Sequence, residues 1–144
     1  MPDTSTNDEA HRLQVLFSLD ILDTPAEERF DRITRLASRL FDVPIALVSL
    51  VDADRQWFKS RHGLDVAQTE RSMSFCSHAI EHDQVMVVED ALRDPRFVAN
   101  PLVTGAPGIR FYAGSPLAAP DGSRVGTLCP VSYTHLTLPT NREV

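Results

Sequence analysis

An eight-residue apolar run, residues 44–51 (PIALVSLV), is the feature that most constrains how this chain can fold. The run is far shorter than a membrane span and is apolar on both faces, which is typical of a central β-strand covered from both sides. The segment 52–55 (DADR) is a turn signal, and Gln56 to Ser60 then returns as a second strand. The sequence therefore predicts a hairpin at the centre of a sheet that carries helices on both faces.

Two helices are predicted before this strand. Residues 9–19 carry apolar side chains at helical spacing, which indicates a short amphipathic helix. The second helix is expected to begin at Thr24, which can cap it, with Pro25 at the first helical position and Glu27 completing a capping box. It carries six apolar residues at helical spacing, namely Phe30, Ile33, Leu36, Ala37, Leu40 and Phe41. Residues 1–8 are polar and are predicted to be disordered.

The rest of the chain alternates between shorter elements. We predict a helix over residues 75–82, strands over 85–88 and 109–117, and a last strand over 124–129 after the turn signal at 120–123 (PDGS). Helices first, followed by strands with a helical insert, predict an α+β fold built on a mainly antiparallel sheet.

Composition excludes several functional classes. With 144 residues, 42% of them hydrophobic, the chain is long enough for one packed core. The net charge of −6 leaves no basic surface for nucleic acid or anionic lipid, and no apolar run is long enough to cross a membrane. The two cysteines form no CxxC motif and suit a reducing compartment. We therefore expect a cytoplasmic domain without nucleic acid or membrane as a partner.

Several short motifs follow one another between residues 74 and 129. They are SFCSHAI at 74–80, DPRF at 94–97, NP at 100–101, IRFYAG at 109–114 and GTLC at 126–129. Their order and spacing resemble the GAF domain, a small-molecule-sensing module of bacterial signalling proteins, and the resemblance covers residues 9–130. It implies a ligand-binding regulatory domain, not itself an enzyme, from a histidine kinase or a diguanylate cyclase. It also implies a homodimer, with the N-terminal helix in the interface, and an output domain that follows in the same protein. No cofactor is identified, and the small-molecule ligand is unknown.

The resemblance also implies a pocket between the sheet and the helices. The residues expected to line it are Trp57, Phe75, Cys76, His78, Phe97, Arg110, Tyr112 and Cys129. Arg110 is a candidate partner for an anion. Phe111 and Tyr112 are neighbours on one strand and point to opposite faces, so at most one of them can line the pocket.

Three alternatives stay open at this point. The first is a GAF-fold methionine sulfoxide reductase that uses Cys76 and Cys129, since such chemistry needs a thiolate within reach of a partner thiol. The second is a catalytic zinc site at residues 78–82 (HAIEH), which match H-x-x-E-H but lack a third ligand. The third is a dimerisation module that binds no ligand.

Residues 131–144 depart from the GAF pattern, which continues the last strand and adds a closing helix. Here Pro130 removes a hydrogen-bond donor, and the residues that follow (VSYTHLTLPT) resemble the translation of a transposase-based sequencing adapter. We therefore expect the last strand to stop at Cys129, the closing strand and helix to be missing, and residues 131–144 to be a non-native tail.

Overall fold

A computed structural model describes residues 4–135 of the chain. It contains four α-helices, α1 (Thr4–Ser18), α2 (Glu28–Phe41), α3 (Cys76–Ala79) and α4 (Pro101–Thr104), and two short 3₁₀ turns at Arg71–Met73 and Ala91–Arg93. The strands are β1 (Ile45–Val51), β2 (Arg55–His62), β3 (Gln68–Glu70), β4 (Met86–Val88), β5 (Phe111–Ala118) and β6 (Arg124–Ser132). Within this part of the chain, no helix is both long enough and apolar enough to cross a membrane.

The strands of the described region form one sheet in the order β3-β2-β1-β6-β5-β4. All neighbouring strands are antiparallel, and β1 and β2 form the predicted hairpin. Every residue of β1 is buried, because the strand lies between β2 and β6 and is covered on both faces. The predicted α+β fold on a mainly antiparallel sheet is confirmed.

Helices cover both faces of this sheet, as predicted. On one face, here called the α1 face, Leu16 of α1 packs with Leu50, Trp57 and Val125. On the opposite face, the α3 face, α3 and the loops around it close over a larger cluster of buried side chains. The candidate site lies on the α3 face.

Helix α2 begins at Glu28, later than the capping prediction placed it. Its N-cap is Glu27, which makes no side-chain capping bond, so the capping role predicted for Thr24 was wrong. The Thr24 hydroxyl instead donates to the Ile21 carbonyl and accepts a hydrogen bond from the buried Lys59 ammonium at 2.8 Å. Thr24 does not cap the helix because a tertiary contact uses its hydroxyl: the Lys59 ammonium donates hydrogen bonds to Thr24 and to the Pro25 carbonyl.

The side of α2 that meets the sheet is formed by small and polar residues. Thr34, Ala37 and Ser38 are buried, and the Thr34 hydroxyl lies 2.9 Å from the Ser60 hydroxyl on β2. The larger apolar side chains point outward: Ile33, Leu36, Leu40 and Phe41 are all more than two-fifths exposed. We call these four residues the outer face of α2.

Two predicted boundaries differ from the structure. Helix α1 begins at Thr4, inside the segment predicted to be disordered, while residues 1–3 lie outside the described part. The predicted helix over 75–82 is a single turn that ends at Ala79, with Ile80 as its C-cap.

Strand β6 continues past Cys129 to Ser132, so the expectation that it stops before Pro130 was wrong. Pro130 is tolerated because the pairing of β5 with β6 is interrupted there, between Tyr112–Val131 and Ser115–Leu128. The backbone N–H that proline lacks is therefore not needed for a β5–β6 hydrogen bond at this position. Residues 136–144 lie outside the described part, and the adapter-like origin of residues 131–144 stays a prediction.

Candidate ligand and thiol site

Six of the eight predicted site residues come together on the α3 face. One buried cluster contains five of them, namely Phe75, Cys76, Phe97, Tyr112 and Cys129. The His78 ring packs edge to face with the Phe97 ring, with the two ring centroids 5.1 Å apart. The prediction that only one of the neighbours at 111 and 112 can face this region is confirmed, because Phe111 packs with Val43 and Ala113 on the other side.

The other two predicted residues lie elsewhere. Trp57 packs against α1 on the opposite face of the sheet, since strand alternation turns it away from its buried neighbour Phe58. The Arg110 guanidinium donates to the carbonyls of Val103 and Ile109 at 2.9 and 3.0 Å. These two hydrogen bonds, both from Nη1, hold the chain after α4, and the role of Arg110 as an anion partner stays a prediction.

An aromatic stack forms the outer part of the cluster. The Phe75 and Phe97 rings are parallel, with an interplanar angle of 6° and centroids 4.1 Å apart, and the Tyr112 ring is tilted against Phe75 at 5.1 Å. Phe97 is 1% exposed. The stack thus fills the space between the sheet and the segment that follows α3.

Two short motifs hold Phe97 in place. Asp94 accepts two hydrogen bonds from the Arg96 guanidinium, at 3.0 and 2.8 Å, and one from the Arg96 amide at 2.9 Å. The Arg96 hydrogen bonds lower the pKa of Asp94, against a smaller opposing effect of burial. Asn100 caps α4 through the Leu102 amide and also donates to the Met73 carbonyl at 3.2 Å. The DPRF and NP motifs therefore fix the loop that carries Phe97.

Behind the stack lies a buried pair of thiols. The Cys76 and Cys129 sulfur atoms are 3.9 Å apart, and both residues are no more than 2% exposed. The Cys76 sulfur also lies 3.0 Å from the Thr127 hydroxyl and 3.0 Å from the Tyr112 hydroxyl. Thr127 and Cys129 are two apart on β6, so their side chains share the α3 face.

The two thiols differ in pKa because of their hydrogen bonds and their burial. Burial alone would raise the pKa of Cys76, but hydrogen bonds from Cys129, Thr127 and Tyr112 lower it to about 7. The pKa of Cys129 is raised, by its hydrogen bond to Cys76 and by burial. Burial and the neighbouring thiols also raise the pKa of Tyr112, which therefore stays a hydrogen-bond donor. Cys76 is thus the thiol on which a negative charge is better stabilised.

Sequence reasoning missed three residues of this site. Gly114 makes room for Tyr112, because a Cβ at position 114 would lie 2.3 Å from the Tyr112 hydroxyl oxygen. Thr127 supplies a hydroxyl to Cys76. Ser49, opposite Thr127 in the β1–β6 register, adds a second buried hydroxyl that helps to lower the pKa of Cys76. The alternation of Thr127 and Cys129 was the only sequence signal for this polar cluster.

An open cleft of about 850 Å³ borders the cluster at the β4 edge of the sheet. Its charged residues are Glu89, Asp90, Arg93, Asp94 and Arg96. None of the eight predicted residues lines it, because the aromatic stack and the thiols lie beneath the chain that forms its wall.

The H-x-x-E-H pattern does not form a helical metal site. Helix α3 ends at Ala79, so His78 and His82 do not lie on consecutive turns of one helix. The His78 ring packs against Phe97. Among residues 4–135, no group of three or more His, Cys, Asp or Glu side chains is arranged to hold a metal ion.

Solved structures share this fold. The GAF domain of an Acinetobacter phosphoenolpyruvate-protein phosphotransferase superposes with a TM-score of 0.61 at 13% identity, covering 99% of this chain and 85% of that one. The free methionine-R-sulfoxide reductase of Neisseria meningitidis superposes with a TM-score of 0.62 at 18% identity, covering 96% and 81%. At these identities the likeness concerns the fold alone.

One curated relative is much more similar in sequence. The cyclic di-GMP phosphodiesterase PA2567 of Pseudomonas aeruginosa is 47% identical over 124 residues, which are 86% of this chain and 21% of that protein. The chain therefore spans about a fifth of the relative. This finding corrects the expectation of a non-enzymatic segment from a kinase or cyclase, since the relative is named as an enzyme of another class, although the match covers only its GAF region.

The family assignment rests on the whole domain. A family profile described as "GAF domain" matches residues 25–143, beginning in the loop before α2. The whole sheet, helix α2 and the motifs that pack the α3 face lie in this range, whereas α1 precedes it. The chain belongs to the GAF domain family.

Proposed function

We propose that this chain is the ligand-sensing segment of a signalling protein that hydrolyses cyclic di-GMP. The observation that carries the proposal is the 47% identity to the Pseudomonas phosphodiesterase over 86% of the chain. The chain spans 21% of that relative, so hydrolysis of cyclic di-GMP is proposed for the longer protein. A reducing cytoplasm, which suits the two thiols, is the proposed site of action.

The proposed ligand pocket is the space now occupied by the aromatic stack. Phe75 and Phe97 present flat apolar surfaces, and His78 adds a polar ring edge, which together suit a small planar ligand with a few polar groups. The charged cleft with Asp94 and Arg96 at its wall is the proposed entrance. A ligand that separates the two phenylalanine rings would select the open arrangement of the loop that carries Phe97.

A chain of ion pairs links the α3 face to α1. The Glu9 carboxylate bridges Arg12 on α1 and Arg71 in the turn before α3, at 2.9 and 2.7 Å. The Arg71 guanidinium also donates to the Asp52 carbonyl at 3.1 Å, at the end of β1. We propose that movement of α3 changes the position of α1 through this network. A homodimer that uses α1 and the outer face of α2 would pass the change to the output domain, and the exposed apolar side chains there support this.

A thermal-shift screen of small molecules on the purified chain tests ligand binding, because a ligand that binds only the native state raises its melting temperature by mass action. A hit should lose its effect in Phe97→Leu and keep it in Val98→Ala, a neighbour whose side chain is 42% exposed. Absence of any hit from a broad library, or hits that are indifferent to Phe97→Leu, would contradict the proposed pocket.

A chimera tests the link to cyclic di-GMP. The matching segment of the Pseudomonas protein is replaced by this chain, and cyclic di-GMP hydrolysis is measured with and without a ligand from the screen. We expect activity that responds to the ligand. A chimera that hydrolyses cyclic di-GMP at the same rate with and without the ligand would reject the sensing role.

The second candidate is a methionine sulfoxide reductase. The 3.9 Å contact between Cys76 and Cys129 favours it, because attack and resolution need two neighbouring thiols. Burial of both thiols beneath the aromatic stack opposes it, since a substrate sulfoxide would have to reach Cys76. Consumption of thiol reductant with free methionine sulfoxide, abolished in Cys76→Ser, would establish this activity in place of sensing.

A further inference from the structure

We propose that Cys76 and Cys129 form a peroxide-sensitive thiol pair that closes to an intramolecular disulfide. The proposal goes beyond ligand sensing, because it assigns a reversible covalent modification to the core of the domain. It begins from geometry: the two sulfur atoms are in contact at 3.9 Å, and a disulfide needs them at about 2.0 Å. Cys76 belongs to the single-turn helix α3, whereas Cys129 is held in the centre of the sheet, so α3 is the element that moves.

The hydrogen bonds select Cys76 as the attacking thiol. Its sulfur has the Thr127 and Tyr112 hydroxyls at 3.0 Å, and both can donate to a thiolate. Cys129 is affected by the same two hydroxyls, but its hydrogen bond to Cys76 and its burial outweigh them and raise its pKa. A thiolate at Cys76 therefore has two hydroxyl donors and a neighbouring thiol, which is the arrangement of an attacking and a resolving cysteine.

Each chemical step balances with hydrogen peroxide as the oxidant. The Cys76 thiolate attacks one peroxide oxygen, the O–O bond breaks, and the other oxygen leaves as hydroxide and takes up the proton released from Cys76 to form water. Sulfur is oxidised to a sulfenic acid and the peroxide is reduced. The Cys129 sulfur then attacks Cys76, the S–S bond forms, and the S–O bond breaks. The departing hydroxide takes the Cys129 proton, which gives a second water.

The surroundings favour this product over further oxidation. The buried hydroxyl of Ser49 lies next to Cys76 and can hydrogen-bond to the oxygen placed on its sulfur. Burial of both thiols admits a small uncharged oxidant in preference to a bulky or charged one. In a reducing compartment the pair rests as thiols, and such disulfides are typically transient redox sensors.

Closing the bond would alter the aromatic stack. Formation of the disulfide brings the Cys76 sulfur closer to Cys129 on β6, so its contacts with the hydroxyls of Tyr112 and Thr127 must readjust. Phe75 is the residue before Cys76 and forms one half of the stack with Phe97, so its ring moves with α3. Oxidation would therefore change the same part of the structure that the proposed ligand occupies.

The first experiment identifies the product. The purified chain is treated with hydrogen peroxide, unfolded, alkylated and analysed by intact mass. We expect a monomer that has lost two hydrogen atoms, takes up no alkylating agent and is restored by dithiothreitol. The chain has two cysteines, so this mass identifies the Cys76–Cys129 bond. A disulfide-linked dimer, or oxygen added to sulfur as the main product, would overturn the proposal.

The second experiment tests the assigned roles. Cys129→Ser should accumulate a sulfenic acid at Cys76 that dimedone traps, while Cys76→Ser should leave Cys129 unreactive. The reverse pattern would refute the assignment. Tyr112→Phe should slow disulfide formation at neutral pH about tenfold, the effect of one hydrogen bond to a charged group, and raise the pH midpoint of the rate. Tyr133→Phe, which removes a hydroxyl from a 42% exposed residue, is the matched control and should leave the rate unchanged.

A third measurement separates this switch from the reductase. Free methionine sulfoxide replaces peroxide, and methionine release is followed. The proposal expects neither methionine nor a disulfide, because the sulfoxide is larger than the oxidant that the buried thiols admit. Disulfide formation with release of methionine would overturn the switch in favour of the enzyme. Binding of a screened ligand is tested separately under reducing conditions, so failure of the sensing role and failure of the switch give different results.

Discussion

Replacing Phe97 by alanine removes the side chain that holds the loop after β4 against the sheet. Phe97 is 1% exposed, is stacked on Phe75 at 4.1 Å and is touched by the ring edge of His78. Burial of this kind makes a Phe→Ala change cost about 3–5 kcal/mol of unfolding free energy. The Arg96 side chain also lies over the ring and can partly refill the space, so we expect the lower half of that range. In a domain of this size such a loss lowers the melting temperature by about 10 °C.

Urea unfolding followed by two probes measures this cost. Far-UV circular dichroism reports on the whole fold, and fluorescence of Trp57, the only tryptophan, reports on the α1 face. Both probes should give the same reduced midpoint with an unchanged slope, because the two faces share one sheet. Val98→Ala, on the same loop, should change the free energy by less than about 0.5 kcal/mol. A loss below about 1 kcal/mol in Phe97→Ala would show that the stack does not close the α3 face and would refute the reasoning.

Three further predictions follow from other contacts. Hydrogen bonds from Arg12 and then Arg71 lower the pKa of Glu9 from 4.5 to about 2. The ionised Glu9 carboxylate therefore stabilises the folded state fully above pH 4.5, and this stabilisation is lost as the pH falls to 2. Glu9→Gln should therefore cost up to about 1 kcal/mol at pH 7, discounted for exposure, and nothing near pH 2, as measured by urea unfolding; a cost independent of pH would reject the ion pairs. Gly114→Ala should cost about 1–3 kcal/mol, because the new methyl overlaps the Tyr112 hydroxyl, and an equal cost in Gly105→Ala would contradict this. Leu40→Glu, at a 72% exposed position, should convert a dimer to a monomer in light scattering and make the melting temperature independent of protein concentration. A wild-type chain that is monomeric at every concentration would reject the interface.

The elements were predictable where one local signal dominated. The apolar run at 44–51 predicted β1 because a strand that is covered on both sides needs apolar residues on both faces. The alternation of side chains on β5 likewise separated Phe111 from Tyr112. Prediction failed where a distant partner decides the outcome. The Lys59 ammonium binds the Thr24 hydroxyl, so the helix begins later than its capping motif suggests.

The sequence predicted most of the residues of the site but not how they are arranged in space. The GAF motifs identified the aromatic residues and both cysteines, yet Trp57 lies on the opposite face, and Nη1 of Arg110 donates to backbone carbonyls. Gly114 and Ser49 entered the site through contacts across the sheet, which no local spacing encodes.

The sequence alone determined the class of fold and the family, because strand alternation, helical periodicity and the order of the motifs are properties of neighbouring residues. It also supplied two thiols that lie 53 positions apart along the chain. Only the tertiary structure brought those thiols into contact and surrounded Cys76 with the hydroxyls of Tyr112 and Thr127. The reason is physical: the antiparallel pairing of β1, β6 and β5 sets which side chains meet across the sheet, and the packing of α3 sets the distance between the two sulfur atoms.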